Sequence, residues 1–167
     1  KFTSRVDGST VWSLSDMPGE PVSQFFRLMW PTGPETGDKR QYMRWDAPGN
    51  LVLDVGYAPC GGPREQGPGL LAANLLTPET MTTTHYFWGG ARDSLRDDER
   101  LSAMMLKGIE AVFMNEDAPM IAACQQRMGT TELMSLKPLL LNIDAAAVTA
   151  RRVLDEMLAS EAAARAG

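Results

Sequence analysis

The apolar pattern of this chain changes character at Gly89-Gly90. Before that point, short runs alternate apolar with polar residues between Gly- and Pro-rich turns, which is typical of antiparallel strands. After it, apolar residues recur every three or four positions, which is typical of helices. Strands followed by helices predict an α+β domain whose antiparallel sheet is covered on its concave face by a long helix. We expect a ligand in the cavity between those two layers.

The first ninety residues are expected to form antiparallel strands and turns throughout, including the apolar run 25–30. The clearest runs predict strands at 10–14, 41–45 and 51–57, and a hairpin of 70–76 with 82–88. We expect Pro18 to Pro21 to end the first strand and the breaker-rich stretch 31–38 to be loop. We expect a turn at 46–50, in which Gly49 and Asn50 are residues that tolerate positive φ.

The remaining residues predict helices. One apolar stripe has helical spacing, formed by Leu101, Met104, Met105, Ile109, Val112 and Phe113. Because Pro119 interrupts the pattern, we expect a second helix to begin near Asp117 and to end at Gly129. A further helix is expected after Asp144, a suitable N-cap, with its end at 161–166 frayed.

Composition narrows the class of protein. The 167 residues correspond to one domain or a large piece of one, and the net charge of −5 argues against a nucleic-acid-binding surface. No run of 18 apolar residues exists, so we expect no membrane association. The isolated Cys60 and Cys124 suggest reduced thiols and a cytoplasmic protein. The chain starts at Lys1 without a signal-peptide pattern, so we interpret this start as a cut inside a longer chain.

The chain contains one histidine, His85. An iron–sulfur site of the CxH…CxxH type, a two-histidine metal triad and an HExxH zinc site are therefore all excluded within these residues. A lone histidine in a strand is more often structural than a ligand, so we do not assign it to a metal.

Four stretches together resemble one protein family: Met43-Arg44-Trp45, Asn74-Leu75-Leu76-Thr77-Pro78-Glu79-Thr80, Thr84-His85-Tyr86-Phe87-Trp88, and Asn115-Glu116-Asp117-Ala118-Pro119-Met120-Ile121 with Gln125-Gln126. In this order they resemble the C-terminal catalytic half of Rieske-type non-haem iron oxygenases. The similar group contains vanillate O-demethylase oxygenase subunits, dicamba monooxygenase and toluenesulfonate monooxygenase.

The resemblance implies a helix-grip (START-like) fold, an antiparallel sheet wrapped on a long C-terminal helix. It implies that 1–167 is the C-terminal part of the catalytic domain, with the Rieske domain and the His-pair segment absent. The full-length enzyme would hold a [2Fe–2S] cluster and a mononuclear Fe(II), neither fully held by these residues. It would act as a homotrimer that receives electrons from a reductase or ferredoxin. Its expected reaction is monooxygenation or O-demethylation of a small aromatic substrate.

Asp117 matches the family's carboxylate ligand to the mononuclear iron. The residues alone allow a second interpretation, because an aspartate just before a first-turn proline is a common helix N-cap. The two roles compete, since capping uses the same carboxylate oxygens.

Three further positions match substrate-contacting residues of relatives. Asn74 stands where some relatives have a histidine that binds the substrate carboxylate, and its amide can donate there too. A polar side chain on an exposed strand face is the alternative for Asn74. Leu53 replaces an asparagine that reaches the substrate, and Gly108 replaces a tryptophan over the substrate ring, which would enlarge the pocket.

Two other functions fit these residues. A stand-alone helix-grip module could bind an apolar ligand without redox chemistry, as the missing metal ligands suggest. A cofactor-free cyclase or hydratase could use Asp117 or His85 as an acid or base. The presence or absence of Rieske and His-pair segments in the full reading frame separates these functions.

Overall fold

The computed structural model describes residues 1–167, which form two units. The first unit comprises 1–77, 86–94 and 140–167, and the second comprises 78–85 and 95–139. Each unit is described separately below.

The first unit is built on a six-stranded antiparallel sheet in which the strand order follows the sequence order. The strands are β1 (Phe2–Asp7), β2 (Thr10–Pro21), β3 (Thr36–Asp46), β4 (Asn50–Ala58), β5 (Gly69–Pro78) and β6 (Thr84–Arg92). The last residue of β5 and the first two of β6 belong to the second unit. The expected strands and hairpin are confirmed, and all are longer than the alternating patterns suggested.

Strand β2 ends within the stretch Pro18 to Pro21, as expected, but only at its last residue. A β-bulge between Met17 and Glu20 accommodates the proline and glycine, and pairing with β3 continues to Pro21. One expectation for the early chain is wrong. The run 25–30 is not part of the strands and turns. It forms helix α1 (Gln24–Met29), which starts where the Ser23 side chain accepts a hydrogen bond from the Phe26 N–H.

The stretch 31–38 also differs from expectation, whereas the turn after β3 is present as expected. Strand β3 already begins at Thr36, so only the start of the breaker-rich stretch is loop. Gly49 and Asn50 do not adopt positive φ, and the turn instead contains a cis Ala47–Pro48 bond. Gly49 is required for a different reason: a Cβ there would lie 2.6 Å from the Leu76 carbonyl oxygen.

A long C-terminal helix, α4 (Ala145–Ala166), packs against β1 and β2. Its Ala146 is buried. Asp144 precedes α4, but its carboxylate accepts from the Leu141 N–H rather than capping the helix. The helix continues through the end that we expected to fray. This antiparallel sheet covered by a long C-terminal helix confirms the α+β helix-grip architecture.

The second unit is mainly helical. Helix α2 (Glu99–Val112) is capped by the Asp98 carboxylate, which accepts from the Leu101 N–H at 2.8 Å. A π-helical segment (Phe113–Asp117) joins α2 directly to helix α3 (Ala118–Met128). Helix α3 therefore begins near Asp117, as expected, but it follows α2 through one widened turn rather than after a break. Gly129 ends α3 in the left-handed conformation, as expected.

The α2 stripe is narrower than the spacing suggested. Leu101 and Met105 are buried, whereas Met104 and Val112 are more than 40% exposed. None of the helices in either unit has the length and apolarity needed to cross a bilayer.

Candidate active site

The strand register places Leu53 and Asn74 on the same face of the sheet. Directly paired residues of antiparallel strands project to the same side. Three rows of paired residues across β2 to β5 share this face: Val11, Trp45, Leu51 and Asn74; Ser13, Met43, Leu53 and Ala72; Ser15, Gln41, Val55 and Leu70. Two residues that the sequence selected separately thus lie on one surface.

This surface carries no charged side chain, whereas the opposite face of the same strands is charged. There, Asp54 bridges Arg40 and Arg64, at N···O distances of 3.0 and 2.7 Å. Hydrogen bonds from Arg44 and from Thr10 hold the pKa of Asp46 below its usual value. These three rows therefore form an uncharged face opposite an ionic one, and the next row on the same side includes Lys39.

A cavity of about 400 Å³ lies between the uncharged face and α4. It is lined by Val11, Ser13, Met43, Trp45, Pro48, Leu51, Ile143, Ala146, Ala147, Ala150, Arg151 and Leu154. Its lining is apolar except for Ser13 and Arg151, the latter being the one charged residue. Cavities of this size and character hold small organic ligands.

Asn74 is half-buried and hydrogen-bonded. Its side-chain oxygen accepts from the Tyr86 hydroxyl at 2.7 Å, across β5 and β6. The side-chain amide of asparagine has an oxygen that accepts hydrogen bonds and a nitrogen that donates them. Because the oxygen accepts from Tyr86, the nitrogen is the group that can donate to a ligand. Tyr86 was not predicted as a functional residue from the sequence. Hairpin symmetry could have revealed it, because Asn74 and Tyr86 lie six residues on either side of Thr80.

Asp117 is the last residue of the π segment and is exposed. Its backbone is helical rather than extended, and its side chain makes no capping hydrogen bond to α3. The structure therefore contains no hydrogen bond that would support the N-cap interpretation of Asp117. Both carboxylate oxygens remain open to another partner.

Gly108 lies on α2, nine residues before Asp117. A Cβ built there meets no atom within 4 Å. The position could therefore accept a larger side chain, and glycine leaves space beside the helix. Gly108 and Asp117 belong to the second unit, whereas Leu53 and Asn74 belong to the first.

His85 lies at the start of β6, and its Nε2 is 3.7 Å from a Glu79 carboxylate oxygen. More than half of each side chain is exposed. An exposed ion pair at this distance contributes little to stability.

A mononuclear iron site of this family type needs two histidines and one carboxylate as ligands. No three His, Cys, Asp or Glu side chains lie close enough together to hold a metal ion. Asp117 offers one carboxylate for such a site, and this chain groups no histidine with it. A complete iron site would need two ligands from protein outside these residues.

Comparison with known proteins adds independent findings. Residues 1–160 match the family model described as the vanillate O-demethylase oxygenase C-terminal domain. The chain is 38% identical over 118 residues to the oxygenase component of chloroacetanilide N-alkylformylase from Rhizorhabdus wittichii (strain DC-6 / KACC 16600), covering 71% of this chain and 34% of that protein. It is 32% identical over 130 residues to the toluene-4-sulfonate monooxygenase system iron-sulfur subunit TsaM1 of Comamonas testosteroni, covering 74% and 37%.

The fold is similar to that of dicamba monooxygenase. A crystal structure of that enzyme with 3,6-dichlorosalicylic acid matches with a TM-score of 0.89 and 25% identity, covering 98% of this chain and 48% of that one. A second structure of it, with non-heme iron and dicamba, matches with a TM-score of 0.80, 25% identity and coverage of 98% and 50%. The chain thus spans between about a third and a half of the length of these proteins.

Proposed function

The chain belongs to the family of vanillate O-demethylase oxygenase C-terminal domains, and on this basis we propose that it works within an oxygenase. Residues 1–167 form the C-terminal, substrate-binding part of the catalytic domain of a Rieske-type non-haem iron monooxygenase. The observation that carries this function is the uncharged sheet face bearing Leu53 and Asn74, continuous with the cavity beneath α4.

The substrate is a small aromatic compound whose ring packs on the uncharged face. Trp45 and Leu53 supply apolar surface there, and burying an aromatic ring against such surface is favourable because it removes apolar area from water. The Asn74 amide nitrogen, oriented by the Tyr86 hydroxyl, donates to one polar group of the substrate. Leu53 offers no hydrogen bond, and Gly108 leaves room for a bulky substituent.

Asp117 contributes the single carboxylate ligand of the mononuclear iron. Two histidines from outside these residues would complete the site, and iron bound there would supply dioxygen activation. Electrons would come from a [2Fe–2S] cluster reduced by a ferredoxin or reductase. The iron-sulfur subunit and the iron-containing structure among the similar proteins support this cofactor set. A homotrimer would bring the cluster of one subunit to the iron of its neighbour.

The test is to measure mononuclear iron in the full-length protein after Asp117→Ala. We expect iron occupancy to fall at least tenfold while the [2Fe–2S] absorption spectrum is unchanged, since loss of the one anionic ligand affects only the mononuclear site. Two matched controls should keep the iron: Glu116→Gln, which alters the adjacent carboxylate, and Asn74→Leu, which should only weaken substrate binding. Full iron occupancy in Asp117→Ala would refute the assignment.

A second function is favoured by one observation, the absence of any grouped set of three metal donors in these residues. A ligand-binding module of this fold would use the same cavity without redox chemistry. It would bind an aromatic ligand with no iron present, and adding Fe(II) would change neither its affinity nor its absorption spectrum.

A further inference from the structure

The helical segment from Glu99 to Met128 contains a wide turn immediately before Pro119. Its π geometry is shown by the Ala118 N–H, which donates to the Phe113 carbonyl five residues earlier. Pro119 is the second residue of α3. In a continuous α-helix it would have no N–H for the carbonyl four residues earlier, and its ring would collide with that carbonyl. The wide turn removes this conflict by inserting one residue.

The inserted residue changes the direction in which Asp117 projects. An α-helix rotates by about 100° per residue, so an uninterrupted helix would place Asp117 roughly 120° around the axis from Met105 and roughly 80° from Ile109. One inserted residue reduces both separations to roughly 20°. Met105 is buried and Ile109 half-buried, so they mark the inward stripe of the helix. The wide turn therefore aligns Asp117 with that stripe.

The same geometry separates two neighbouring carboxylates. In an uninterrupted helix, Glu116 rather than Asp117 would lie within roughly 20° of Met105. Because of the π segment, Asp117 rather than Glu116 continues the inward stripe. The Asp117 carboxylate also makes no capping hydrogen bond to α3.

We propose that Pro119 is a positioning residue, which imposes the π segment and thereby directs Asp117 instead of Glu116 toward the iron. This role rests on the proposed function of Asp117 as a ligand. Removing the proline lets the segment return to α-helical hydrogen bonding, which rotates Asp117 away from the stripe by about 100°.

The test measures mononuclear iron in the full-length protein, with Glu116→Gln present in every variant so that this carboxylate cannot replace Asp117. Pro119→Ala is expected to reduce iron occupancy at least tenfold with an unchanged [2Fe–2S] spectrum. Met120→Ala, an exposed neighbour on the same helix, should keep the iron. An unaltered iron content in Pro119→Ala would overturn the role of the proline.

A compensating deletion provides the rescue. Deleting Met114, which is 65% exposed, from the Pro119→Ala variant removes the extra residue. Asp117 then projects from a regular helix in the same direction around the helix axis as in the protein with Pro119. Iron occupancy should return to within about threefold of that protein. A deletion variant whose thermal unfolding transition matches that of the Pro119 protein, yet which stays free of iron, would contradict the rotation.

The ligand role of Asp117 and the positioning role of Pro119 can be refuted separately. Iron lost in Asp117→Ala but kept in Pro119→Ala would leave the ligand assignment standing and overturn only the positioning role. Iron kept in Asp117→Ala would overturn the proposed function itself.

Discussion

Arg40 shows how a single charged residue is accommodated in the sheet. Its side chain is only 8% exposed, and its Nε donates to Asp54 at 3.0 Å. Gly56 and Gly69 provide the space, since a Cβ at either position would lie 2.6 Å from a guanidinium nitrogen of Arg40. Both glycines are thus explained by the close approach of neighbouring atoms, among them the Arg40 guanidinium, rather than by turn conformation.

At this scale we predict different costs for the two ion pairs of Asp54. Asp54→Ala leaves the buried guanidinium of Arg40 without its carboxylate, which should lower the free energy of unfolding by about 3 kcal/mol. Arg64→Ala removes a half-exposed partner and should cost less than about 1 kcal/mol. Urea unfolding of the full-length variants measures both. Equal losses would show that burial of Arg40 does not set the cost.

At the scale of elements, Asp38 of β3 stabilises two segments whose glycine and proline residues usually interrupt regular structure. Its carboxylate accepts from the Gly61 N–H at 2.8 Å and from the Gly19 N–H at 3.0 Å, the latter within the β2 bulge. These bonds lower the pKa of Asp38 from its usual value of 3.8, the bond from Gly61 having the larger effect. One side chain thereby stabilises a bulge and a loop together.

The lowered pKa predicts a pH-dependent contribution to stability. The ionised carboxylate contributes fully above pH 3.8, the usual value, and this contribution is lost as the pH falls through the lowered pKa of the folded state. Asp38→Asn should therefore be less stable than the parent protein at about pH 6, and the difference should shrink toward about pH 2.

Denaturant midpoints measured across that pH range test the prediction, with Asp7→Asn in β1 as the control for removing one negative charge. A difference between Asp38→Asn and the parent protein that stays constant with pH would exclude the ionised carboxylate as its source.

At the scale of the first unit, α4 joins the end of the sequence to its beginning, since it packs on β1 and β2. The contact depends on small side chains: Ala146 is 8% exposed, while neighbouring alanines of α4 line the cavity. Small residues on this helix face therefore determine both how closely α4 approaches the sheet and how much space remains.

Enlarging two adjacent alanines of α4 should have different effects on the free energy of unfolding. Ala146 also lines the cavity but is buried, so Ala146→Leu should press on the sheet and cost about 1–3 kcal/mol of unfolding free energy. Ala147→Leu points its added atoms into the cavity and should change stability by less than about 0.5 kcal/mol. Thermal unfolding of the two variants compares them directly. Similar destabilisation by both would mean that the cavity does not accept the added side chain.

The local pattern was sufficient to predict the fold class, because alternation of polar and apolar residues and helical spacing are both properties of neighbouring residues. It identified the strands 41–45 and 51–57, the hairpin, the α2 stripe and the stop at Gly129. The motifs also led to the family, which the match over residues 1–160 confirms. The roles of Asp117, Asn74, Leu53 and Gly108 remain predictions.

In the sheet, the exceptions depend on contacts between residues far apart in the chain. Pro18 to Pro21 remain in a strand because β3 and the Asp38 carboxylate hold the bulge. Near Pro119 the second helix begins as predicted, but a π-helical segment joins it to α2, since residues on both sides keep helical hydrogen bonds. Local propensity reports what a segment prefers alone, whereas pairing and packing select among conformations that differ by only a few kcal/mol. For that reason the sequence alone specified the elements, and tertiary contacts set the lengths of the strands and the bond that orients Asn74.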